Sequence, residues 1–365
     1  MTKRSEKILC VTSSSDRPEA ETFIGLQAKG FVVRVLCSPR APHYQRLQDA
    51  GVSVAPLEII RRIDSKAIDR IRSELESATY NILHLFDNRT VLNGLMAARG
   101  KNVKIVTYRG IVGNESFLNP GSWLRYLNPR VDRIVCVAEA VREYFLNLRL
   151  FWIRIPPDKV VTIYKGHDLA WYKDSPVDLA KFGIPGGAFV VGCVANWRPR
   201  KGVEILIEAC KHLPADALLH IILVGNMKNK GLQEQIAASP FRDHIHMLGF
   251  RDDAPAIIAA CDISILASLK REGLPKTVIE AMAYGVPSIV TNVGGSPELV
   301  NNEESGLVIP PGDPQALAQA ILRLYADGTL RATLGEHARR RLQSHFPIQT
   351  TIDQTAQLYR DVLAD

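Results

Sequence analysis

The chain alternates short apolar runs with longer segments of helical periodicity. In its first half, five apolar runs of strand length predict buried strands: KILCVT, VVRVLC, NILHLF, VKIVTY and RIVCVA. Between them lie segments of helical period such as ETFIGLQAKG and VLNGLMAARG, which end at glycine as helix C-termini often do. Strands that alternate with helices predict a parallel sheet covered by helices on both faces.

A second series of apolar runs predicts a second sheet: FVVGCVA, LLHIILVG, ISILAS and VPSIVT. The segment around residues 170–185 separates the two series. It is rich in proline, glycine and charge, and we interpret it as a linker. A chain of 365 residues is also long for one hydrophobic core. We therefore expect two Rossmann-like, doubly wound α/β domains, over residues 1–172 and 183–345. A C-terminal helix within 346–365 could cross back to the first domain.

The expected arrangement of the two domains has a consequence for ligand binding. In doubly wound sheets, ligands bind outside the carboxyl ends of the strands. Two such domains facing an interdomain cleft would suit a reaction between two substrates. They would equally suit one ligand that is held by a closing hinge.

Composition and charge narrow the class of protein. Lysine and arginine total 45 against 38 acidic residues, an excess that suits an anionic ligand or an anionic membrane face. Nucleic acid is disfavoured, because no dense basic run or zinc-finger spacing occurs. No apolar run approaches the roughly 18 residues of a spanning helix, and the N-terminus lacks a secretory signal. The six cysteines include no CxxC pair, which favours reduced thiols in a cytoplasmic protein and predicts no zinc site.

The stretch REGLPKTVIEAMAYGVPSIVT, residues 271–291, holds two glutamates that are eight positions apart, Glu272 and Glu280. It follows the predicted strand ISILAS, so that Glu272 lies in the loop at the carboxyl end of a strand. Glu280 falls within the first turns of the next helix. Carboxylates accept hydrogen bonds from hydroxyl groups, and each of these two could also be an ordinary surface acid.

The entrance of this predicted helix resembles an anion site. Pro275 suits the first helical turn, where its missing N–H costs nothing. Free backbone N–H groups near Gly273, Leu274, Lys276 and Thr277 would point toward a ligand, and the helix dipole would favour a phosphate there. A diphosphate flanked by two carboxylates that bind hydroxyls matches a sugar nucleotide.

The wider region resembles the signature of family-4 glycosyltransferases of the GT-B fold. The resemblance runs from VANWRPRKGVEILIEA through HMLGFRDDAPAIIAACDISIL to the E-x7-E pair, Glu272 and Glu280, and continues into SGLVIPPGDPQALAQAI. It covers most of residues 190–345, whereas the first half matches only in general layout. It implies a retaining, metal-independent transferase without a cofactor. Its substrate would be a UDP- or GDP-sugar.

The resemblance implies roles for single residues. Glu272 would bind hydroxyls of the donor sugar, and Glu280 would bind the ribose hydroxyls. Backbone N–H groups from Gly273 to Thr277 would hold the sugar and the distal phosphate. Backbone groups at Gly249 and Phe250 would pair with the nucleobase, while His246 more plausibly packs within its strand.

Cations in NWRPRKG would meet the charge that develops on the departing diphosphate. Lys201 occupies the position of the family's phosphate-binding lysine. The family's usual arginine position, about five residues earlier, is here Asn196. We expect Arg198 to be the partner of Lys201, with Arg200 as the alternative. A solvated basic loop is the competing interpretation for any one of them.

The N-terminal half is less specific. Ser14 and Asp16 follow the first strand, in a segment that is either an active-site loop or a capped turn. Arg109 stands where the family often has a histidine, and we assign it to contact an anionic acceptor or a phosphate. His84 and Asp87 are acceptor-side candidates, although a lone histidine that ends a strand is more often structural.

One further stretch, YFLNLRLFWIRI at residues 144–155, mixes aromatic, leucine and arginine residues. Together with IIRRIDSKAIDRIR it could hold the protein against an anionic lipid surface. The alternative, which we favour slightly, is a helix packed into its own domain with a basic outer edge.

We therefore predict a glycosyltransferase that acts in surface polysaccharide, lipopolysaccharide or glycolipid synthesis. Its partners would be a nucleotide-sugar donor and a glycan or lipid-linked acceptor, with possible peripheral membrane contact on the cytoplasmic side and no nucleic acid. A sugar-nucleotide epimerase of similar architecture and a non-catalytic sugar-nucleotide-binding subunit remain the alternatives. A phosphorylase would need a longer chain with a lysine for pyridoxal phosphate.

Overall fold

The computed structural model describes residues 6–214 and 216–365, and contacts divide the chain into two compact units. The first unit comprises the chain up to Gly166 together with Phe346–Asp365, and the second comprises His167–His345. Among the described residues, each unit contains one entirely parallel sheet, of seven strands in the first and six in the second. Two Rossmann-like α/β units were predicted, and this prediction is confirmed.

The first unit has the strand order β3-β2-β1-β4-β5-β6-β7. Its strands are β1 (Lys7–Val11), β2 (Val32–Cys37), β3 (Ser53–Pro56), β4 (Ile82–Leu85), β5 (Lys104–Arg109), β6 (Arg133–Cys136) and β7 (Val160–Thr162). Its helices up to β7 are α1 (Arg17–Ala28), α2 (Tyr44–Asp49), α3 (Ser65–Ser77), α4 (Asn88–Ala97), α5 (Pro120–Trp123) and α6 (Glu139–Leu146). All five predicted strands are present, and the structure adds β3 and β7 at the two edges.

The second unit has the strand order β10-β9-β8-β11-β12-β13. Its strands are β8 (Phe189–Val194), β9 (Leu219–Val224), β10 (Ile245–Gly249), β11 (Ile263–Leu266), β12 (Ser288–Thr291) and β13 (Gly306–Ile309). Its helices are α7 (Val203–Ala209), α8 (Lys230–Ala237), α9 (Ala254–Ala259), α10 (Lys276–Ala283), α11 (Ser296–Leu299), α12 (Pro314–Ala326) and α13 (Gly328–His345). The central strands β9 and β11 are apolar in sequence because they are covered on both faces and bury every side chain.

The segment that the sequence presents as a linker is packed onto the second unit. The Val177 backbone N–H donates to the carbonyl of Ala256 at 3.2 Å, and Ile184 is buried beside Ile257 and Ile258. The division between the units therefore lies at Gly166, earlier than the expected linker. Proline and glycine in this segment reflect its short turns, and its few apolar residues anchor it.

The last helix, α14 (Ile348–Ala364), packs on α1 of the first unit. A Cβ atom on Gly25 would lie 2.4 Å from Ile352 Cδ1, so that the two helices approach closely only because residue 25 is glycine. The hydroxyl of Tyr359 lies 2.6 Å from Nδ1 of His84, in the interior. The C-terminal 20 residues therefore complete the core of the N-terminal unit.

The contact with Tyr359 places His84, an acceptor-side candidate, in the interior of the first unit. His84 lies within β4, is 2% exposed and stacks against Phe86 at 4.1 Å between ring centroids. Burial lowers the pKa of its imidazole to about 3, so the ring is neutral at ordinary pH. A histidine at the end of an apolar run is here a core residue.

Across residues 6–214 and 216–365, no helix has the length and apolar character that crossing a bilayer requires.

Candidate active site

A cavity opens at the carboxyl ends of the strands in the second unit. The strand order reverses between β8 and β11, which is the position where doubly wound sheets bind ligands. The cavity has a volume of about 320 Å³, and its walls come from the ends of β8 and β9, the loop after β10 and the first turns of α10. This volume lies within the usual range of small-molecule sites.

Glu272, in the loop between β11 and α10, is the centre of a charged cluster. It is 4% exposed, and its Oε1 accepts from Lys201 Nζ at 2.8 Å and from the Ser268 hydroxyl at 2.6 Å. Arg200 Nη1 lies 4.0 Å from the same oxygen. The ion pair with Lys201 compensates the burial of this carboxylate and holds the lysine side chain in place.

Two glycines allow the loops that carry this cluster to approach one another. Gly202, with φ of 63°, follows Lys201, and a Cβ atom there would lie 2.0 Å from the carbonyl oxygen of Ala267. Gly294, with φ of 55°, lies against Glu272, and a Cβ atom there would lie 2.2 Å from the Glu272 carbonyl oxygen. Any other residue would have to push apart the backbone that positions Lys201 and Glu272.

The entrance of α10 presents unused hydrogen-bond donors. The helix begins at Lys276, directly after Pro275, and no side chain caps it. Among the residues that the structure describes, the backbone N–H groups of Gly273, Leu274, Lys276 and Thr277 bind no protein acceptor. Free N–H groups at the positive end of a helix dipole are suited to bind an anion, which is the role that the sequence predicts for them.

Glu280 lies one turn into α10 and lines the cavity together with Lys276 and Thr277. Its side chain is buried, and its Oε1 accepts from Lys276 Nζ at 2.9 Å. Burial raises the pKa of the Glu280 carboxyl above its usual range, and the Lys276 ammonium only partly opposes this shift. A buried carboxylate that faces a cavity is suited to accept hydrogen bonds from a vicinal diol.

Arg200, and not Arg198, joins the charged cluster. The Arg200 guanidinium donates to the carbonyl of Arg271 at 2.7 Å, and its own carbonyl accepts from the Leu269 N–H. Arg198 begins a short 3-10 turn, Pro199–Lys201, and its side chain is exposed. Arg198 precedes the turn in an extended conformation, whereas Arg200 lies within it, so Arg200 is the arginine that lies beside Glu272. The preference for Arg198 is revised accordingly, and contact of either arginine with a diphosphate stays a prediction.

The expected nucleobase region follows β10. Gly249 ends the strand, and the Phe250 ring is 72% exposed between the first cavity and a second one of about 340 Å³. The Arg251 guanidinium is held by both oxygens of Asp253, at 2.8 and 2.6 Å. His246 contacts His220 at 2.9 Å on the strand, which agrees with a packing role.

Arg109 differs from its expected role in the first unit. It is 2% exposed, and its guanidinium donates to the carbonyls of Ile111 and Gly113, to Asn88 Oδ1 at 3.0 Å, and to Glu115 at 3.3 Å. These contacts engage each nitrogen of the guanidinium inside the protein. The assignment of Arg109 to an anionic substrate is therefore corrected: this side chain holds the loop that follows β5.

Replacement of Arg109 by lysine should reduce stability and spare activity. A lysine keeps the charge beside Glu115, but it cannot bond two carbonyls and Asn88 in the fork geometry of a guanidinium. We expect the free energy of unfolding in urea to fall by about 1–2 kcal/mol. We expect kcat/KM of the folded protein to stay within about threefold.

If Arg109→Lys lowered kcat by more than about tenfold and left the urea midpoint unchanged, Arg109 would contact the substrate after all.

The remaining acceptor-side candidates are also engaged in local structure. Asp87 caps α4 by accepting from Arg89 and Thr90, and it accepts from the Ser13 N–H at 2.9 Å. Asp16 caps α1 by accepting from Glu19 N–H at 3.1 Å, so the interpretation of this segment as a capped turn is supported. Ser14 is exposed beside it.

A partly buried ionic cluster in the first unit was missed by the sequence analysis. Lys165 Nζ contacts Asp16 Oδ2 at 2.7 Å and Glu19 Oε1 at 3.0 Å, and Thr12 donates to Glu19. Burial raises the pKa of Glu19 to about 7 despite the lysine. From its position in the helix, Glu19 would be predicted to be an exposed acid. Its ion pair with Lys165 is not visible in the local sequence, because the two residues are far apart in the chain.

Comparisons with known proteins agree with this geometry. The family model described as "Glycosyl transferases group 1" matches residues 174–341, and that described as "Glycosyltransferase Family 4" matches residues 21–171. The first match contains the cavity and the charged cluster. The two matches together span both units.

Relatives and solved structures extend the agreement over the whole chain. The UDP-Gal:alpha-D-GlcNAc-diphosphoundecaprenol alpha-1,3-galactosyltransferase of Escherichia coli is 25% identical, over 98% of this chain and 96% of its own. A glycosyltransferase from Rickettsia africae superposes with a TM-score of 0.80 at 20% identity, covering all of both chains. The Anabaena protein Alr3699/HepE in complex with UDP superposes with a TM-score of 0.79 at 23% identity, over 98% of this chain and all of its own.

Proposed function

Because the chain belongs to the family-4, group 1 glycosyltransferases of the GT-B fold, we propose that it transfers a hexose from a UDP- or GDP-sugar to an acceptor hydroxyl with retention at the anomeric carbon. UDP is the nucleotide that we favour. Support for UDP comes from the Escherichia coli relative, whose name specifies UDP-Gal, and from the Anabaena fold neighbour in complex with UDP.

The observation that carries this proposal is the sequence of groups around the cavity. Glu280 faces the cavity, free N–H groups occupy the start of α10, and Glu272, paired with Lys201 and Arg200, directly precedes these N–H groups in the chain. A nucleotide sugar presents a ribose diol, a diphosphate and a hexose in the same order. The hydroxyls would meet carboxylates, and the diphosphate would meet N–H groups and cations.

The reaction would break the bond between C1 of the sugar and the diphosphate oxygen. Negative charge then develops on the departing diphosphate, and Lys201, Arg200 and the start of α10 would stabilise it. The acceptor oxygen would attack C1 from the same face, and its proton would pass to the departing phosphate oxygen. Retention by this route needs no protein nucleophile. Glu272 would contribute by holding the donor sugar in position for the attack.

Fixed cations at the diphosphate also underlie our proposal that no divalent metal is required. The Lys201 ammonium and the Arg200 guanidinium, which lie together beside Glu272, would neutralise the leaving group in place of a metal ion. The acceptor that we favour is a lipid-linked glycan on the cytoplasmic face of the membrane. The name of the Escherichia coli relative, which includes a diphosphoundecaprenol acceptor, supports this class.

The function can be tested with purified protein and a panel of UDP- and GDP-hexoses. Nucleotide release should occur with one donor and should increase when lipid-linked glycan acceptors are added. The product linkage, determined by NMR, should keep the anomeric configuration of the donor. The proposal would be contradicted if none of the donors released its nucleotide. It would also be contradicted if the protein interconverted sugar nucleotides without transferring the sugar.

The same assay tests whether turnover requires a divalent metal ion. Incubation with EDTA and its removal should leave the turnover of the active donor within about twofold, because side-chain cations already neutralise the diphosphate. Zn²⁺-, Mg²⁺- and Mn²⁺-supplemented samples should match the chelated one. A loss of turnover on chelation that Mg²⁺ or Mn²⁺ restores would contradict metal independence and leave the transfer itself established.

A further inference from the structure

A tight turn at residues 149–154, which we call the aromatic turn, displays two aromatic rings to solvent. The backbone of Leu150 and Ile153 closes it with two hydrogen bonds, of 3.2 Å and 2.9 Å. The two residues at its tip, Phe151 and Trp152, are 83% and 86% exposed, and their ring centroids are 5.8 Å apart. Two large, adjacent apolar side chains at such exposure usually mark an interaction site.

The exposure of these rings is built into the local structure. The preceding helix α6 ends at Leu146, and its residues Val141 and Phe145 are buried in the first unit. Ile155, directly after the turn, is also buried. The stretch that resembles one packed helix is therefore a short helix, followed by a turn that is anchored at both ends and projects outward.

The backbone of Phe151, at the tip of the turn, is in a strained conformation. Phe151 has φ of 54°, in the left-handed region that glycine adopts without strain and that bulky residues rarely occupy. The chain holds a phenylalanine there. Strain of this kind is typical of functional positions, where a side chain is needed in spite of its conformational cost.

The aromatic turn carries two cations that have no acidic partner. Arg149 and Arg154 flank the tip and are both exposed. Among the described residues, neither guanidinium forms an ion pair with a carboxylate. The nearest exposed acids along the chain are Glu143 and Asp158, outside the turn. The tip is therefore apolar with a basic border.

We propose that the aromatic turn attaches the protein to the surface of an anionic lipid bilayer. Phe151 and Trp152 would enter the interfacial layer, where amphipathic aromatic rings are favoured, and Arg149 and Arg154 would contact acidic headgroups. A second copy of the chain is a poorer occupant, because pairing two such turns would bring four arginines together. Attachment does not require the acceptor to be lipid-linked, so it can be tested separately from the proposed function.

The test is sedimentation of the full chain with vesicles of phosphatidylcholine alone, and with vesicles that contain about 30 mol % phosphatidylglycerol. Wild-type protein should bind the anionic vesicles, and brominated lipids should quench part of the emission of its four tryptophans. Phe151→Ser/Trp152→Ser should weaken binding at least about tenfold and abolish the quenching. Arg149→Gln/Arg154→Gln should remove about fivefold of affinity per arginine, and only for anionic vesicles.

A matched control uses apolar residues that are equally exposed elsewhere in the same unit. Ile60 and Leu118 are 76% and 79% exposed, so Ile60→Ser/Leu118→Ser removes similar surface from other loops. This variant should bind vesicles as the wild type does. Because Ile60 lies in IIRRIDSKAIDRIR, that result would also exclude Ile60 from the attachment surface. All variants should keep the wild-type melting temperature and nucleotide release, since the altered side chains are largely in solvent.

Three outcomes would overturn the proposal. The first is equal sedimentation of the wild type with and without anionic vesicles. The second is wild-type binding by Phe151→Ser/Trp152→Ser, or loss of binding by the Ile60 and Leu118 variant alone. The third is concentration-dependent self-association that only the aromatic-turn variant loses, without any vesicle binding, which would assign the turn to an interface between copies.

Discussion

Lys201→Ala is expected to lower kcat for sugar transfer by about 10²–10³, the usual effect of removing one group that stabilises charge in a transition state. Two losses contribute to this expectation. The ammonium that would neutralise the departing diphosphate is gone. In addition, the Glu272 carboxylate, 4% exposed, keeps only Ser268 as a hydrogen-bond donor and the more distant Arg200 as a charge partner.

The two contributions can be separated by a double-variant cycle. If most of the loss comes from the unpaired Glu272 charge, then Glu272→Gln should partly rescue Lys201→Ala. If it comes from the leaving group, the double variant should be at least as slow as either single one. The measurement is kcat under saturating donor, with circular dichroism to confirm folding.

Lys211→Ala is the matched control for Lys201→Ala. Lys211 lies in the same unit and pairs with Glu208 at 2.8 Å, but its side chain is 52% exposed and outside the cavity. It should leave kcat unchanged. If the kcat of Lys201→Ala stayed within about threefold of the wild-type value, Lys201 would not stabilise the transition state.

The sequence predicts the sheets because burial on both faces forces an apolar composition on central strands. The runs ILCV, ILHL and LHIILV are recognisable for this reason. The edge strands β3 (SVAP) and β7 (VVT) pair on one side only, and they are too short and too weakly apolar to be distinguished from loops. Edge strands are therefore where the periodicity fails.

The candidate site divides in a similar way. Glu272, Glu280 and the start of α10 lie within nine consecutive positions, so local spacing places them correctly. The choice between Arg198 and Arg200 depends on the direction of a short 3-10 turn, which spacing does not determine.

Arg109 and Lys165 show a second reason for failure. A basic residue at a strand end suggests a ligand contact, but residues 111–115 fold over Arg109 and occupy its guanidinium. Lys165 meets Asp16 and Glu19 across about 150 positions of sequence. Without covarying sequences, such a distant pair leaves no local signal.

Replacement of Glu280 should weaken nucleotide binding. Glu280→Ala is expected to raise the Kd of UDP between about tenfold and hundredfold, or 1.4–2.7 kcal/mol, because hydrogen bonds from the ribose hydroxyls to a buried carboxylate would be lost. Isothermal titration calorimetry with UDP and GDP measures this directly, and kcat at saturating donor should change less than KM.

Glu208→Gln provides the control for this variant. Glu208 is also a helical glutamate that pairs with a lysine, Lys211, but it lies outside the cavity. It should leave the Kd of UDP unchanged. An unchanged Kd in Glu280→Ala would place the ribose elsewhere.

The pH dependence gives an independent signature of Glu280. Burial raises the pKa of this carboxyl above its usual range, so it takes up a proton at a higher pH than an exposed glutamate would. The protonated group can no longer accept hydrogen bonds at full charge. UDP affinity of the wild type should therefore fall as the pH is lowered toward this raised pKa, and recover above it.

Glu280→Gln should bind UDP weakly at every pH between about 5 and 8, since an amide does not titrate there. The difference between the two profiles isolates the Glu280 carboxylate, because the substitution leaves every other titratable group of the protein in place. Parallel profiles for wild type and Glu280→Gln would mean that the pH dependence originates in another group. In that case the buried carboxylate would serve to order Lys276 at the helix start, and the ribose would be bound by backbone groups alone.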